Sequence, residues 1–154
     1  MTNIITFSGD RWIGEYLMKE SEPEIRILNV VCQEVAEKGK LTDECQKRLE
    51  SVFGSRFSKA WEAVQDGQVK KYIFKPSNRL VWIVVGRERD YLILPAAGFC
   101  SCDDFYYSVM EGKAYLCYHL IAQKLAEALG RFDEITESDS FYEVLMDEWR
   151  KVIP

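Results

Sequence analysis

CSCDDFYYSVMEGKAYLCYH, residues 100 to 119, holds three of the chain's five cysteines and its only histidine. Zinc takes four tetrahedral ligands drawn from thiolates and imidazoles, at about 2.3 Å for sulfur and about 2.0 Å for nitrogen. Cys100, Cys102, Cys117 and His119 supply that number, as a Cys-x-Cys, 14 intervening residues and a Cys-x-His. Each close pair offers two ligands from one tight turn, which lowers the entropy of assembling a site. Residues i and i+2 do not face each other on a regular helix, so Cys117 and His119 can share an ion only where the chain is still turning into one. The site is therefore expected at a helix N-terminus, whose partial positive charge also favours the Cys117 thiolate. Four protein ligands leave no open position for water or substrate, so the spacing points to one structural zinc per chain.

Two other readings of these residues compete. Buried cysteines behave as small apolar side chains and can gather near a core histidine without binding anything. A catalytic Cys-His pair, with Cys100, Cys102 or Cys117 as nucleophile, needs a third group to orient His119, and no such group is legible. No catalytic residue is assigned, and the chain is not expected to be an enzyme.

The bulk properties bound the rest. At 154 residues and 17.9 kDa the chain is long enough for one domain with a hydrophobic core. A composition of 47% hydrophobic and 29% charged residues is that of an ordinary globular protein. No apolar run approaches the roughly 20 residues of a membrane span, so no membrane partner is expected. The opening MTNIITFSGDRWIGEYL lacks the basic start and apolar stretch of a secretory signal, which implies an intracellular, reducing compartment with free thiols. Cys32 and Cys45 lie far from the cluster and have no evident partner; Cys32 reads as core.

Outward from the finger, the chain divides into four parts of a single domain, 1–154. Residues 1–66 are a helical part. A helix from about Pro23 to Glu37 carries Ile27, Val30, Val31 and Val35 at helical spacing and stops at Gly39. A second helix opens at Thr42, an N-cap type residue, and runs towards Val52; Phe53 to Ser55 break it before a third from about Arg56 to Gln65. Residues 67–95 hold VKKYIFKP, RLVWIVV and DYLILP, rich in β-branched and aromatic residues, and read as a three-stranded antiparallel meander. Residues 96–130 are the finger and its helix, from about Tyr118 to Leu129; Asp103 and Asp104 suit the cap of a short helix ending near Met110. In residues 131–154, RFDEITESD reads as a polar loop before a last helix from about Ser140 to Lys151. Phe141, Leu145 and Trp149 recur every four residues on it, able to pack inward or to dock a partner. The fold class is α+β.

The order Cys-x-Cys, spacer, Cys-x-His resembles the SWIM zinc finger. FGSRFSKAWEAVQDG, the meander, CSCDDFYYSVM and LCYHLIAQKLAEAL together resemble, in order and spacing, small SWIM-domain proteins of Shu-type complexes, which partner RecA-family recombinase paralogues. The resemblance covers roughly residues 46 to 130. Family members generally carry a basic residue between the last cysteine and the histidine, where this chain has Tyr118, and often a proline after the second cysteine, where it has Asp103. Neither position is a ligand. The resemblance implies a Cys3His SWIM finger, a non-catalytic accessory role in homologous recombination and DNA repair, and a recombinase paralogue as partner, in the cytoplasm of an archaeon or the nucleus of a eukaryote.

Charge bears on the alternative, a free-standing nucleic-acid-binding finger. The chain has a net charge of −5, and only residues 67 to 94 are basic, with 6 basic and 2 acidic side chains. Lys70, Lys71, Lys75, Arg79, Arg87 and Arg89 could touch phosphates there, or simply form a solvated strand face. Because the finger itself is net acidic, the expectation is a protein partner, with DNA bound weakly or through that partner. The helix bearing Leu120, Ile121, Leu125 and Leu129, held against the meander, is the expected rigid docking element.

Overall fold

LVWIVV, residues 80 to 85, runs through the middle strand of a five-stranded sheet. The computed structural model describes residues 23–113 and 116–150. The reading of the N-terminus as lacking a signal, and the last residue of the final expected helix, Lys151, lie outside them. Strands β1 (Val69–Lys75), β2 (Arg79–Val85) and β3 (Asp90–Leu94) form the expected antiparallel meander, with Tyr72 opposite Val81 and Val84 opposite Tyr91.

Two strands extend that meander. Strand β4 (Phe99–Cys100) pairs antiparallel with β3. Strand β5 (Asp133–Ser138) pairs parallel with β1, placing Tyr72 beside Ile135, so the sheet is mixed. The segment expected as a polar loop is thus a strand. It carries one aliphatic residue among acids and hydroxyls, and as an edge strand it leaves most side chains to solvent, so it lacks the apolar alternation by which a strand is read.

The helices fall largely where periodicity places them. Helix α1 (Pro23–Lys38) buries Leu28, Val31 and Val35, whereas Val30 is about half exposed, at 51%. Leu28, Val31 and Val35 follow the i, i+3, i+7 spacing of one face, and Val30 falls off it. Thr42 caps α2 (Asp43–Phe53), its side chain accepting from the Cys45 N–H at 3.2 Å. Gly54, at φ 58°, separates α2 from α3 (Ser55–Gln65); the left-handed conformation is one that glycine adopts without a Cβ penalty. Helix α4 (Asp103–Met110) lies between the two ligand pairs, α5 (Tyr118–Leu129) begins within the second, and α6 (Tyr142–Arg150) ends the described chain after a 3-10 turn at Asp139–Phe141.

The sheet is covered on both faces. On one, Val69, Trp82, Val84 and Ile93 pack with α1, α2, α3 and α5 in the main core. On the other, Phe74, Val81, Ile83 and Leu92 lie under Met146 and Trp149 of α6. Central β2 therefore buries Val81, Trp82, Ile83 and Val84 to alternate sides, which explains its apolar run over those four residues. Leu120, Ile121 and Leu125 of α5 are fully buried in this core, so they hold α5 in place and are not a docking surface. On the last helix the inward stripe is Tyr142, Leu145, Met146 and Trp149, while Phe141, in the preceding 3-10 turn, is exposed. No helix among the described residues is long and apolar enough to cross a membrane.

Candidate metal centre

Each cysteine of the cluster owes its position to the end of a regular element. Cys100 closes β4 opposite Ile93. The next residue, Ser101, is buried and stitched to β3 twice: its N–H donates to the Leu92 carbonyl at 3.0 Å, and its Oγ accepts from the Leu92 N–H at 3.0 Å. Cys102 is the N-cap of α4, with its Sγ accepting from the Phe105 N–H at 3.3 Å. Cys117 is the N-cap of α5 in an extended conformation, φ −72° and ψ 165°, and His119 is the second residue of that helix. The chain is therefore still entering the helix between Cys117 and His119, which brings an i, i+2 pair to one point. Arg56 secures the approach: its guanidinium donates to the Leu116 carbonyl at 2.8 Å and to Glu24 of α1 at 2.8 Å.

The four donor atoms lie within 4.8 Å of one another, and all four residues are buried. A tetrahedron with bonds of roughly 2.3 Å has edges of roughly 3.8 Å, so the spacing suits a common ion. The chemistry of the surroundings agrees. Both His119 ring nitrogens are buried, and neither has a hydrogen-bond partner outside the thiol cluster among the described residues, a state costly for a polar group unless something else takes its lone pair. Burial pushes the Cys100 thiol well above its ordinary range and that of Cys117 to about 12. Hydrogen bonds from the Cys100 and Cys117 thiols hold Cys102 well below its ordinary range. A divalent cation would hold all three as thiolates. The N-termini of α4 and α5 both bear on the cluster and add partial positive charge. The residues present fit a metal.

The basic side chains of the meander do not assemble into one patch. Neighbours Lys70 and Lys71 point to opposite faces of β1: Lys70 pairs with Asp133 of β5, and Lys71 lies 5.5 Å from the Trp82 ring centroid and 5.6 Å from that of Phe132. Lys75 donates to Asn78 in its own turn. Arg79 stacks 3.7 Å over the Tyr142 ring and pairs with Asp139 at 3.6 Å. Arg87 lines a cleft of about 510 Å³ with Glu62, Asp66 and Glu88, an electrically mixed wall. Arg89 turns towards the finger, where its Nη2 donates to the Ser101 carbonyl at 2.5 Å and its guanidinium lies 4.9 Å from the Tyr91 ring centroid.

Sequence reasoning did not place Ser101 or Tyr91 at the site, and it named Arg89 only as a possible phosphate contact and Tyr118 only as a non-ligand within the finger. Tyr91 and Tyr118 place their centroids 4.1 Å and 4.0 Å from that of the imidazole. A serine between two ligands and an arginine in a charged turn carry no motif; their partners come from strand pairing distant in sequence.

Relatives match along most of the chain. The sequence is 31% identical over 135 residues to zinc finger SWIM domain-containing protein 7 of Mus musculus, covering 84% of this chain and 88% of that protein. It is 30% identical over 105 residues to the homolog of that protein in Dictyostelium discoideum, covering 67% of each. An uncharacterized protein of Archaeoglobus fulgidus is 35% identical over 108 residues, covering 70% of this chain and 83% of its own length. No family model matches the sequence, and no solved structure matches it.

Proposed function

From the premise that the chain belongs to the family of zinc finger SWIM domain-containing protein 7, we propose that it is a zinc-stabilised, non-catalytic interaction subunit. In this reading it holds one zinc ion on Cys100, Cys102, Cys117 and His119 and serves a recombinase-paralogue complex in homologous recombination and DNA repair. The observation that carries the metal assignment is the convergence of four buried donors from the ends of β4, α4 and α5 onto one point. An ion there supplies no reactive chemistry, since four protein ligands complete its tetrahedron. It ties the sheet edge to two helix starts.

The partner assignment rests on the family resemblance, and the charge distribution supports a protein over a nucleic acid. A phosphate-binding surface needs several free cations on one face. Here Lys70, Arg79 and Arg89 engage carboxylates or a carbonyl of the chain itself, and the net charge is −5. The test is co-purification from native lysate with and without chelator, beside DNA binding by the isolated chain at physiological salt. The proposal expects a RecA-like partner, lost on chelation, and weak DNA binding. Tight, salt-resistant DNA binding by the chain alone would instead make it a nucleic-acid-binding finger.

A further inference from the structure

We infer that Tyr91 and Tyr118 are positioning residues that aim the His119 imidazole at the metal, in place of the hydrogen-bond acceptor that ordinarily orients a ligating histidine. The inference rests on the reading of the cluster as a metal centre. A metal-bound histidine usually donates its second ring N–H to a carboxylate, a carbonyl or water, and that bond fixes the ring's rotation and tautomer. His119 has no such partner among the described residues at either nitrogen. It has instead two aromatic neighbours, Tyr91 at 4.1 Å and 32° and Tyr118 at 4.0 Å and 31° between ring planes. In the arrangement we infer, these two rings bracket the imidazole. Rotation of the imidazole about its Cβ–Cγ bond would drive its edge into one of them.

The bracket is itself held. Tyr91 comes from β3, and the guanidinium of Arg89 lies against it at 4.9 Å. Gly86 makes room for it: a Cβ there would stand 2.5 Å from the Arg89 carbonyl oxygen and 2.6 Å from Tyr91 Cε2, closer than any relaxed contact. Tyr118 begins α5 and has the Lys59 ammonium 5.9 Å from its centroid. The rings also discriminate electrostatically. An imidazole that has given its lone pair to a dication is electron-poor, and the negative faces of two tyrosines favour it over the neutral ring. The inference assigns this role to the rings and not to the phenol hydroxyls.

The test uses the full chain loaded with zinc or with cobalt(II), in wild-type form and as Tyr91→Phe, Tyr91→Leu and Tyr118→Leu. Zinc release to a chromogenic chelator gives the rate, and the visible cobalt(II) absorption reports the geometry of the ligand set. Tyr91→Phe should release zinc at close to the wild-type rate with the wild-type cobalt spectrum. The two leucine variants should release it roughly tenfold faster or more, in line with the loss of metal affinity when groups behind a ligand are removed, with an altered spectrum. Tyr118 is partly exposed at a helix start, so its variant reports even if Tyr91→Leu folds poorly. Wild-type rates and spectra in both leucine variants would overturn the inference alone, as would Tyr91→Phe losing zinc as fast as Tyr91→Leu. A wild-type chain that takes up neither ion would overturn the metal reading and this inference with it.

Discussion

Arg89 donates a hydrogen bond of 2.5 Å to the carbonyl oxygen of Ser101, the residue between Cys100 and Cys102. A β-hairpin turn thereby reaches across to the first ligand pair and fixes it against β3. Removing this contact leaves a partly buried carbonyl without its charged donor. Arg89→Ala should lower stability by about 1.5 to 3 kcal/mol, the range for hydrogen bonds to charged groups, and should speed metal release. Arg89→Lys should recover only part, because an ammonium lacks the planar fork that serves both the carbonyl and the Tyr91 face. Thermal denaturation and chelator competition check this; unchanged values in Arg89→Ala would show that β3 holds the turn unaided.

The parallel pairing of β5 with β1 predicts an amide-exchange pattern that a loop would not show. Strand β5 lies at the edge of the sheet, so its N–H groups alternate between β1 and the outside. Across Asp133 to Ser138, protection should alternate between slow and fast residues. Uniformly fast exchange over the six residues would return the segment to the loop that its composition suggests.

Cys32 and Cys45 are expected to be bystanders of the metal centre. Burial pushes the Cys32 thiol up from 9.0 to about 11, so the folded chain retains its proton where the unfolded chain loses it. The stability from this group is fully present below about pH 9 and is lost as the pH rises through about 11. At pH 9, alkylation of Cys32 should be many times slower in the folded than in the denatured protein. Cys32→Ser and Cys45→Ser should leave metal content unchanged; loss of metal in either would draw a further thiol into the site.

The finger was legible because its chemistry is local: two ligand pairs, each confined to three residues, announce themselves without knowledge of the fold. The expectation that Cys117 and His119 sit at a helix entrance followed from helix geometry, and α5 begins there. The meander and most helices were legible for a similar reason, since their apolar spacing reflects one buried face. What escaped was non-local. Strand β5 is specified by pairing with a strand more than fifty residues earlier, Lys70 beside Asp133, and its own residues carry no apolar alternation. Helical spacing alone puts Val30 on the buried stripe of α1, but which of several apolar residues faces inward depends on the neighbouring helices. Likewise, the basic run of the meander leaves open in sequence which side chains share a face, and the pleat sends Lys70 and Lys71 to opposite ones.

The most direct test is metal analysis of the full chain purified under reducing conditions, alongside Cys100→Ser and His119→Ala. Structural zinc binding releases on the order of 10 to 16 kcal/mol in finger peptides, more than the whole stability of a typical domain. The account predicts about one zinc per chain in the wild type, and loss of metal together with a large fall in melting temperature in both variants. A freshly purified wild-type protein that is folded, cooperative in its unfolding and free of zinc would contradict it.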